Sequence, residues 1–240
     1  GIPVNDMENG WVYWSNWFGL DMVTRSIQIQ RGLGASKIAI PSVGGTMNIL
    51  TKGIDQRKNV SVKQEIGNNG FSRTSIGLTS GKLDNGWGVS AAVSYKRGNG
   101  WVDKAFTDGW FYYLKIEKSL GNHILGISVM GAPQKHGQRS YKSSIGRFST
   151  KMENTLGIPD TNYLSNDISS YDSSGTTKNA ISPNRGLQYN KHWGTLNRYT
   201  IENGDTLFAE NETINERVNY YHKPQFSLRD FWTVSDKLYI

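Results

Sequence analysis

The sequence predicts an all-β chain of antiparallel strands, and three observations carry that prediction. Apolar and polar residues alternate over windows of about ten residues from position 58 onward. The windows are separated by short clusters of Gly, Asn, Asp and Ser, the residues that turn a chain. Glycine is abundant at 27 residues, proline is scarce at 6, and 12% of residues are aromatic, a profile that suits strands better than helices.

The strands follow in order. Val60, Val62 and Ile66 oppose Ser61, Lys63 and Glu65, and Arg73 falls in a second window at 71–81. The clearest window is 87–97, where Trp87, Val89, Ala91, Val93 and Tyr95 share one face and Gly88, Ser90, Ala92, Ser94 and Lys96 the other. Trp110, Tyr112, Leu114 and Ile116 then oppose Phe111, Tyr113, Lys115 and Glu117. Leu125, Ile127 and Val129 alternate with Gly126, Ser128 and Met130, and Phe226, Leu228, Trp232 and Val234 share a face that Asp230 interrupts. Tight turns are expected at 82–86, 118–122 and 235–237, with Gly67–Gly70, the 98–107 stretch and the long segment 133–222 at the opposite end.

Strands of this length, with an aromatic near each end of an apolar face and short turns on one side only, match a transmembrane β-barrel. A soluble β-sandwich, such as a secreted carbohydrate-binding module, is the alternative, although its strands are usually shorter and need no aromatics at both ends. No apolar run is long enough for a transmembrane helix, and the N-terminus lacks the basic and apolar regions of a signal peptide. The absence of Cys removes disulfides, thiolate metal sites and cysteine nucleophiles. Of the +7 formal charge, +4 belongs to 58–132, nine Lys and Arg against five Asp and Glu, scattered through alternating strands without a basic run. That distribution argues against nucleic acid as a partner.

Residues 1–57 lack the regular rhythm and carry Val23-Thr24-Arg25-Ser26-Ile27-Gln28-Ile29-Gln30-Arg31-Gly32, then Gly34-Ala35-Ser36, then Val43-Gly44-Gly45-Thr46-Met47-Asn48-Ile49-Leu50-Thr51-Lys52. This resembles the end of the plug domain of TonB-dependent outer-membrane receptors, in which a strand ending in R-G leads through small residues to G-G-x-I-N-I-x-T-K and directly into the barrel. Gly1-Ile2-Pro3-Val4 is similar to an earlier plug strand of that family. Gln28 stands where the family usually has Glu, a form similar to members from Bacteroidetes-type bacteria, and Lys37-Ile38-Ala39-Ile40-Pro41 departs from the usual turn.

The resemblance implies a fragment of a roughly 22-stranded antiparallel transmembrane β-barrel with part of the N-terminal plug domain. Residues 1–57 are then the C-terminal half of the plug, and 58–240 are the first barrel strands with a long extracellular loop at about 133–222. It also implies active transport of a scarce solute, whether siderophore, vitamin, oligosaccharide or peptide, across the bacterial outer membrane. No covalent chemistry, catalytic residue, metal or cofactor is expected. The implied partners are TonB, through a TonB box outside this chain, the solute, outer-membrane lipid and lipopolysaccharide, and a surface lipoprotein. Plug–barrel contacts are assigned to Arg31, Gly44, Gly45, Lys63 and Lys115, with Glu65, Arg73, Lys96 and Glu117 completing a charged interior.

Trp11, Tyr13, Trp14, Trp17 and Phe18 crowd one connection beside Asp6, Glu8, Asn9 and Asn16. In the family this connection faces the extracellular vestibule, so Trp11, Tyr13, Trp14, Asn16 and Glu8 are candidate ligand contacts through stacking and hydrogen bonds. Packing of the plug against the wall explains the same residues equally well. Other motifs fail on spacing. Gly32-Leu33-Gly34-Ala35-Ser36-Lys37 ends in Lys where a dinucleotide loop needs Gly, and Gly77–Lys82 lacks both the first Gly and the Ser/Thr of a phosphate loop. His123, His136, His192 and His222 are scattered, and Asp160, Asp167 and Asp172 miss the spacing of a calcium loop.

Overall fold

A computed structural model describes residues 3–6, 8–32, 44–138, 155–156, 178–179, 187–188, 190, 193–196, 198–202, 205–208, 213–216, 218–235 and 238–239. Two compact units emerge: Gly1–Arg97 with Asp108–Lys135 and Tyr220–Ile240, and Gly98–Thr107 with His136–Asn219.

The first unit opens with a 3-10 turn at Trp14–Trp17 and a single helical turn, α1, at Leu20–Val23. Next come β1 (Thr24–Arg31) and β2 (Gly45–Thr51), which pair antiparallel with Arg31 opposite Gly45. Its main sheet is built from β3 (Asn59–Ile66), β4 (Ser72–Thr79), β5 (Trp87–Gly98), β6 (Thr107–Leu120) and β7 (His123–Gly131) in chain order. The strands pair antiparallel, with Val60 opposite Leu78, Ile76 opposite Val93, and Leu114 opposite Val129. The expectation of successive antiparallel hairpins over 58–132 is met.

Local chemistry explains the connections. Asn69 and Gly70 both adopt positive φ, 57° and 69°, which fits a primed turn that only Asn, Asp or Gly enters cheaply. The end at which the sequence suggested longer loops therefore begins with a tight turn. Gly121 and Asn122 make a two-residue hairpin between β6 and β7, with Gly121 at φ 58°.

A short strand β8 (Gln134–Gly137) continues past Pro133 and pairs with β6. The second unit holds β9 (Lys178–Asn179), β10 (Trp193–Leu196), β11 (Arg198–Glu202), β12 (Asp205–Phe208) and β13 (Thr213–Glu216), with β11 between β9 and β12 and β10 paired to β13. Within this unit Asn190 Nδ2 donates to the carbonyls of Asp103 (2.9 Å) and Gln138 (2.8 Å). Thus part of the segment expected as one loop is itself strand. Tyr141, Tyr163, Tyr171 and Tyr189 lie outside the described residues, as do 33–43, His192, Asp160, Asp167 and Asp172.

β14 (Val218–Tyr221) pairs with β8, and β15 (Gln225–Ser235) rejoins the main sheet beside β7, Phe226 opposite Val129 and Asp230 opposite Leu125. β16 (Leu238–Tyr239) follows as the last strand. Among the described residues the sheet is open, with β3 and β16 at its edges.

One face of this sheet carries exposed apolar side chains, and the other buries polar ones beside a small apolar core. Ser75, Ser90, Ser94, Lys96 and Glu117 are buried, whereas Val62 is 71% exposed, Ile66 82% and Leu228 68%. Val93, Leu114, Ile116, Leu125, Ile127 and Phe226 are exposed with them. Residues 15–23 and 52–54 lie against this second face. The core lies between Met22 and Val23 on one side and Ala92, Phe111, Tyr113 and Ala132 on the other. Small side chains on β4 and β5 make that approach possible, and Ser94 Oγ donates to Ser75 Oγ at 2.7 Å beneath it.

Candidate functional site

The segment 5–18 begins with a loop held by its own polar groups. Asp6 Oδ1 accepts from the N–H of Glu8 (3.0 Å) and Asn9 (3.2 Å), and Asn9 Oδ1 accepts from the N–H of Trp11 (2.9 Å). These side-chain turns replace a ladder and give the segment its shape. Asn9 Nδ2 also donates to the Tyr13 hydroxyl at 2.8 Å.

From this loop the aromatic cluster divides. Trp11, at 70% exposure, is open to solvent with Tyr13 and Trp14, whereas Trp17 is 3% exposed. Trp17 meets Tyr221 edge to face, centroids 6.5 Å apart, and Phe18 sits 6.4 Å from Phe111. Gly19 connects the two helical turns at φ 97°, and a Cβ there would lie 2.4 Å from the Phe111 ring. Glycine satisfies both the backbone conformation and the close approach.

Candidate ligand residues thus separate in space. Trp11, Tyr13, Trp14 and Glu8 present exposed side chains or backbone, while half-buried Asn16 is turned into the packing: its Oδ1 accepts from Gln134 Nε2 at 3.5 Å. Gln134 Oε1 in turn accepts from Lys96 Nζ at 3.0 Å. Lys96 Nζ also donates to the Ser15 carbonyl (3.3 Å) and lies 3.9 Å from the centre of the Phe18 ring. This buried ammonium has neutral acceptors and a π face, and no carboxylate pairs with it among the described ion pairs.

A second cluster of contacts lies at α1. Asp21 takes Arg73 Nη2 at 2.5 Å and Lys63 Nζ at 3.2 Å, and Glu65 takes the same two cations at 3.1 Å each. Burial alone would push the Asp21 carboxyl up, but the hydrogen bonds and charge of Arg73 and Lys63 outweigh it and hold it below its ordinary value. Lower on the sheet Glu117 Oε2 accepts the N–H of Ile54 at 2.6 Å while Glu117 Oε1 pairs with Lys115 Nζ at 2.7 Å. Lys52 Nζ donates to Met22 O at 2.8 Å, and its own carbonyl accepts from Tyr113 at 3.3 Å. Arg25 and Asp55 close the segment on itself.

The residues expected to join the N-terminal segment to the sheet behave differently from one another. Lys63 makes its ion pair, and Lys115 borders Gly53, where an added Cβ would meet its Nζ at 3.0 Å. Gly45, at φ 121°, leaves no room for a side chain because the Gln30 carbonyl lies 2.4 Å from where a Cβ would stand. Gly44 faces open space, and Arg31 is exposed with no ion pair among the described residues. The described residues hold a contact of opposite polarity, a carboxylate on the N-terminal segment and cations on the strands. Asp21 and Gln134 are the participants that sequence reasoning missed, while Trp17, already part of the aromatic cluster, takes the packing role that was one of its two readings.

Among the described residues no group of three or more His, Asp or Glu converges on a common point. No protein-family model matches the chain, and no curated protein or solved structure matches it either.

Proposed function

We propose that this chain is the end of the plug and the first wall strands of a TonB-dependent outer-membrane transporter, which binds a scarce solute outside the cell and admits it when energised TonB remodels the plug. The observation that carries the reading is the division of the sheet's faces, apolar side chains outward and Ser, Lys and Glu inward beneath the N-terminal segment. Water would penalise such an arrangement and hydrocarbon rewards it. The longer strands reach far enough: β5 and β6 have 12 and 14 residues. At about 3.3 Å per residue and a tilt near 40° they project to about 30 and 35 Å, against a bilayer core of about 30 Å, whereas β3 and β4, at 8 residues each, project to about 20 Å.

The aromatic rows agree too. At the short-turn end Trp87 lies under Lys118 Nζ, 5.0 Å from the ring, and Trp232 and His123 meet edge to face with centroids 5.0 Å apart. At the other end Tyr95 and Trp110 stack at 4.6 Å. Asp230, the interruption in the outward face of β15, pairs with His123 at 3.1 Å in the first of these rows, at interfacial depth. Exposed Trp11, Tyr13 and Trp14 would form part of the solute surface, and the Asp21 and Lys96 clusters would hold the plug in its closed position.

Spin labels test the reading. Labels at Val89, Val93 and Leu114 of the full-length protein in vesicles should relax with oxygen, and labels at Ser94 and Lys115 should not. Preferential quenching of the first group by a water-soluble reagent would refute it.

A further inference from the structure

The loop that carries Trp11 is closed by its own polar groups. The Asp6 N–H donates to the Trp11 carbonyl at 2.8 Å, the Gly10 N–H donates to the Asp6 carbonyl at 3.0 Å, and Asn5 Nδ2 donates to the Gly10 carbonyl at 2.8 Å. Asn9 is committed twice, through Oδ1 to the Trp11 N–H and through Nδ2 to the Tyr13 hydroxyl. One side chain therefore fixes two of the three exposed aromatic residues before any ligand arrives, which removes part of the ordering cost of binding. With Asn16 engaged by Gln134, what this surface still offers is the rings of Trp11, Tyr13 and Trp14 and the carboxylates of half-buried Asp6 and exposed Glu8.

Charge on this segment has one sign. From 1 to 24 the sequence holds Asp6, Glu8 and Asp21 and no Lys, Arg or His. Asp21 is answered by Lys63 and Arg73, whereas Asp6 and Glu8 take no ion pair among the described residues. A single cation stands nearby, Lys223, whose Nζ donates to the Asn5 carbonyl at 3.3 Å. Two carboxylates against one ammonium leave the surface negative. An anionic chelate would meet that field unfavourably. A neutral sugar needs polar side chains converging beside the ring it stacks on, and here the amides of Asn5, Asn9 and Asn16 are engaged within the chain. A cation gains from both remaining features, because the face of an indole or phenol ring attracts positive charge as a carboxylate does.

We infer that this surface takes an organic cation, a guanidinium or ammonium group on a carbon framework, with its charge against Glu8 and Asp6 and the faces of Trp11, Tyr13 and Trp14 while Asn9 positions the loop. The inference rests on the reading of these residues as the solute surface and narrows the solute to one chemical class. Guanidinium suits it best, being planar, weakly hydrated and able to stack on a ring while its N–H groups reach a carboxylate.

The test titrates the full-length protein in detergent with the acetylated dipeptide amide of arginine and with the same dipeptide of citrulline, which keeps the shape of the side chain and lacks its charge. Wild type should bind the arginine probe about tenfold more tightly than the citrulline one. Added salt should erode that preference. Glu8→Gln combined with Trp11→Leu should bring the two probes within about twofold of each other. Both replaced side chains are exposed, so the thermal transition should not move. Should the double variant fail to fold, Glu8→Gln alone should weaken the arginine probe about threefold and leave the citrulline probe unchanged. Equal binding of both probes by wild type, a preference that survives in the folded variant, or tighter binding of maltotriose or of a ferric catecholate than of the arginine probe would each overturn the inference. Flotation of wild type with vesicles separates the two readings. If it fails to float, the transporter reading falls, and the role of the cation as solute falls with it. If it floats and shows no preference for arginine, the cation class alone is refuted.

Discussion

Leu114→Arg distinguishes a lipid-facing strand from a water-facing one more sharply than any other single change. Leu114 occupies the middle of β6, opposite Val129, with its side chain on the uncovered face at 40% exposure. In water an exposed substitution of this kind changes stability by about 0.5 kcal/mol or less, in either direction. Near the bilayer midplane the same arginine costs about 2–4 kcal/mol, because the guanidinium must drag water inward or bend toward the interface. A covered position supplies the control. Ser94, 1% exposed and bonded to Ser75 at 2.7 Å, has no free space for a larger side chain, so Ser94→Leu should cost about 1–3 kcal/mol in either solvent. Urea unfolding of the full-length protein in lipid vesicles, followed by gel mobility and tryptophan fluorescence, measures both. A Leu114→Arg effect within 0.5 kcal/mol of zero, beside a clear Ser94→Leu effect, would refute the assignment of the apolar face to lipid.

Other expectations concern the N-terminal segment and the loop. Asp21→Asn should destabilise its docking by about 0.5–1 kcal/mol, a modest value because the carboxylate is nearly half exposed and solvent screens its pairs with Arg73 and Lys63. Since the folded-state carboxyl lies below its ordinary 3.8, its contribution is present above that value and is lost as the pH falls through the lower folded one; acid titration of wild type against the variant reads the difference. Trp11→Ala and Trp14→Ala should each weaken solute binding by about 1–3 kcal/mol with little change in unfolding. Trp17→Ala should instead lower stability by about 3–5 kcal/mol, and calorimetry with and without solute separates the two outcomes. An epitope tag inserted at 173–175, outside the described residues, should be reached by antibody on intact cells. Labelling that requires a permeabilised membrane would reverse the proposed topology.

Much of the sheet was legible in sequence because a strand has a period of two, and the parity of Val89 or Leu114 sets its face before any partner is known. Turn chemistry was equally local: Gly121-Asn122 and Asn69-Gly70 permit few backbone conformations, although only the structure showed the second to be a tight turn rather than a longer loop. The docking of the N-terminal segment was not legible. Asp21 meets Lys63 and Arg73 across 42 and 52 residues, and Lys96 reaches Ser15 across 81, separations over which no periodicity carries information. The aromatic cluster shows the same boundary. Composition marked Trp11, Tyr13, Trp14 and Trp17 alike, because each is an amphipathic aromatic ring that suits either packing or a ligand surface. Only the arrival of Tyr221 and Phe111, more than ninety residues away, decided that Trp17 and Phe18 are packing while the first three remain exposed.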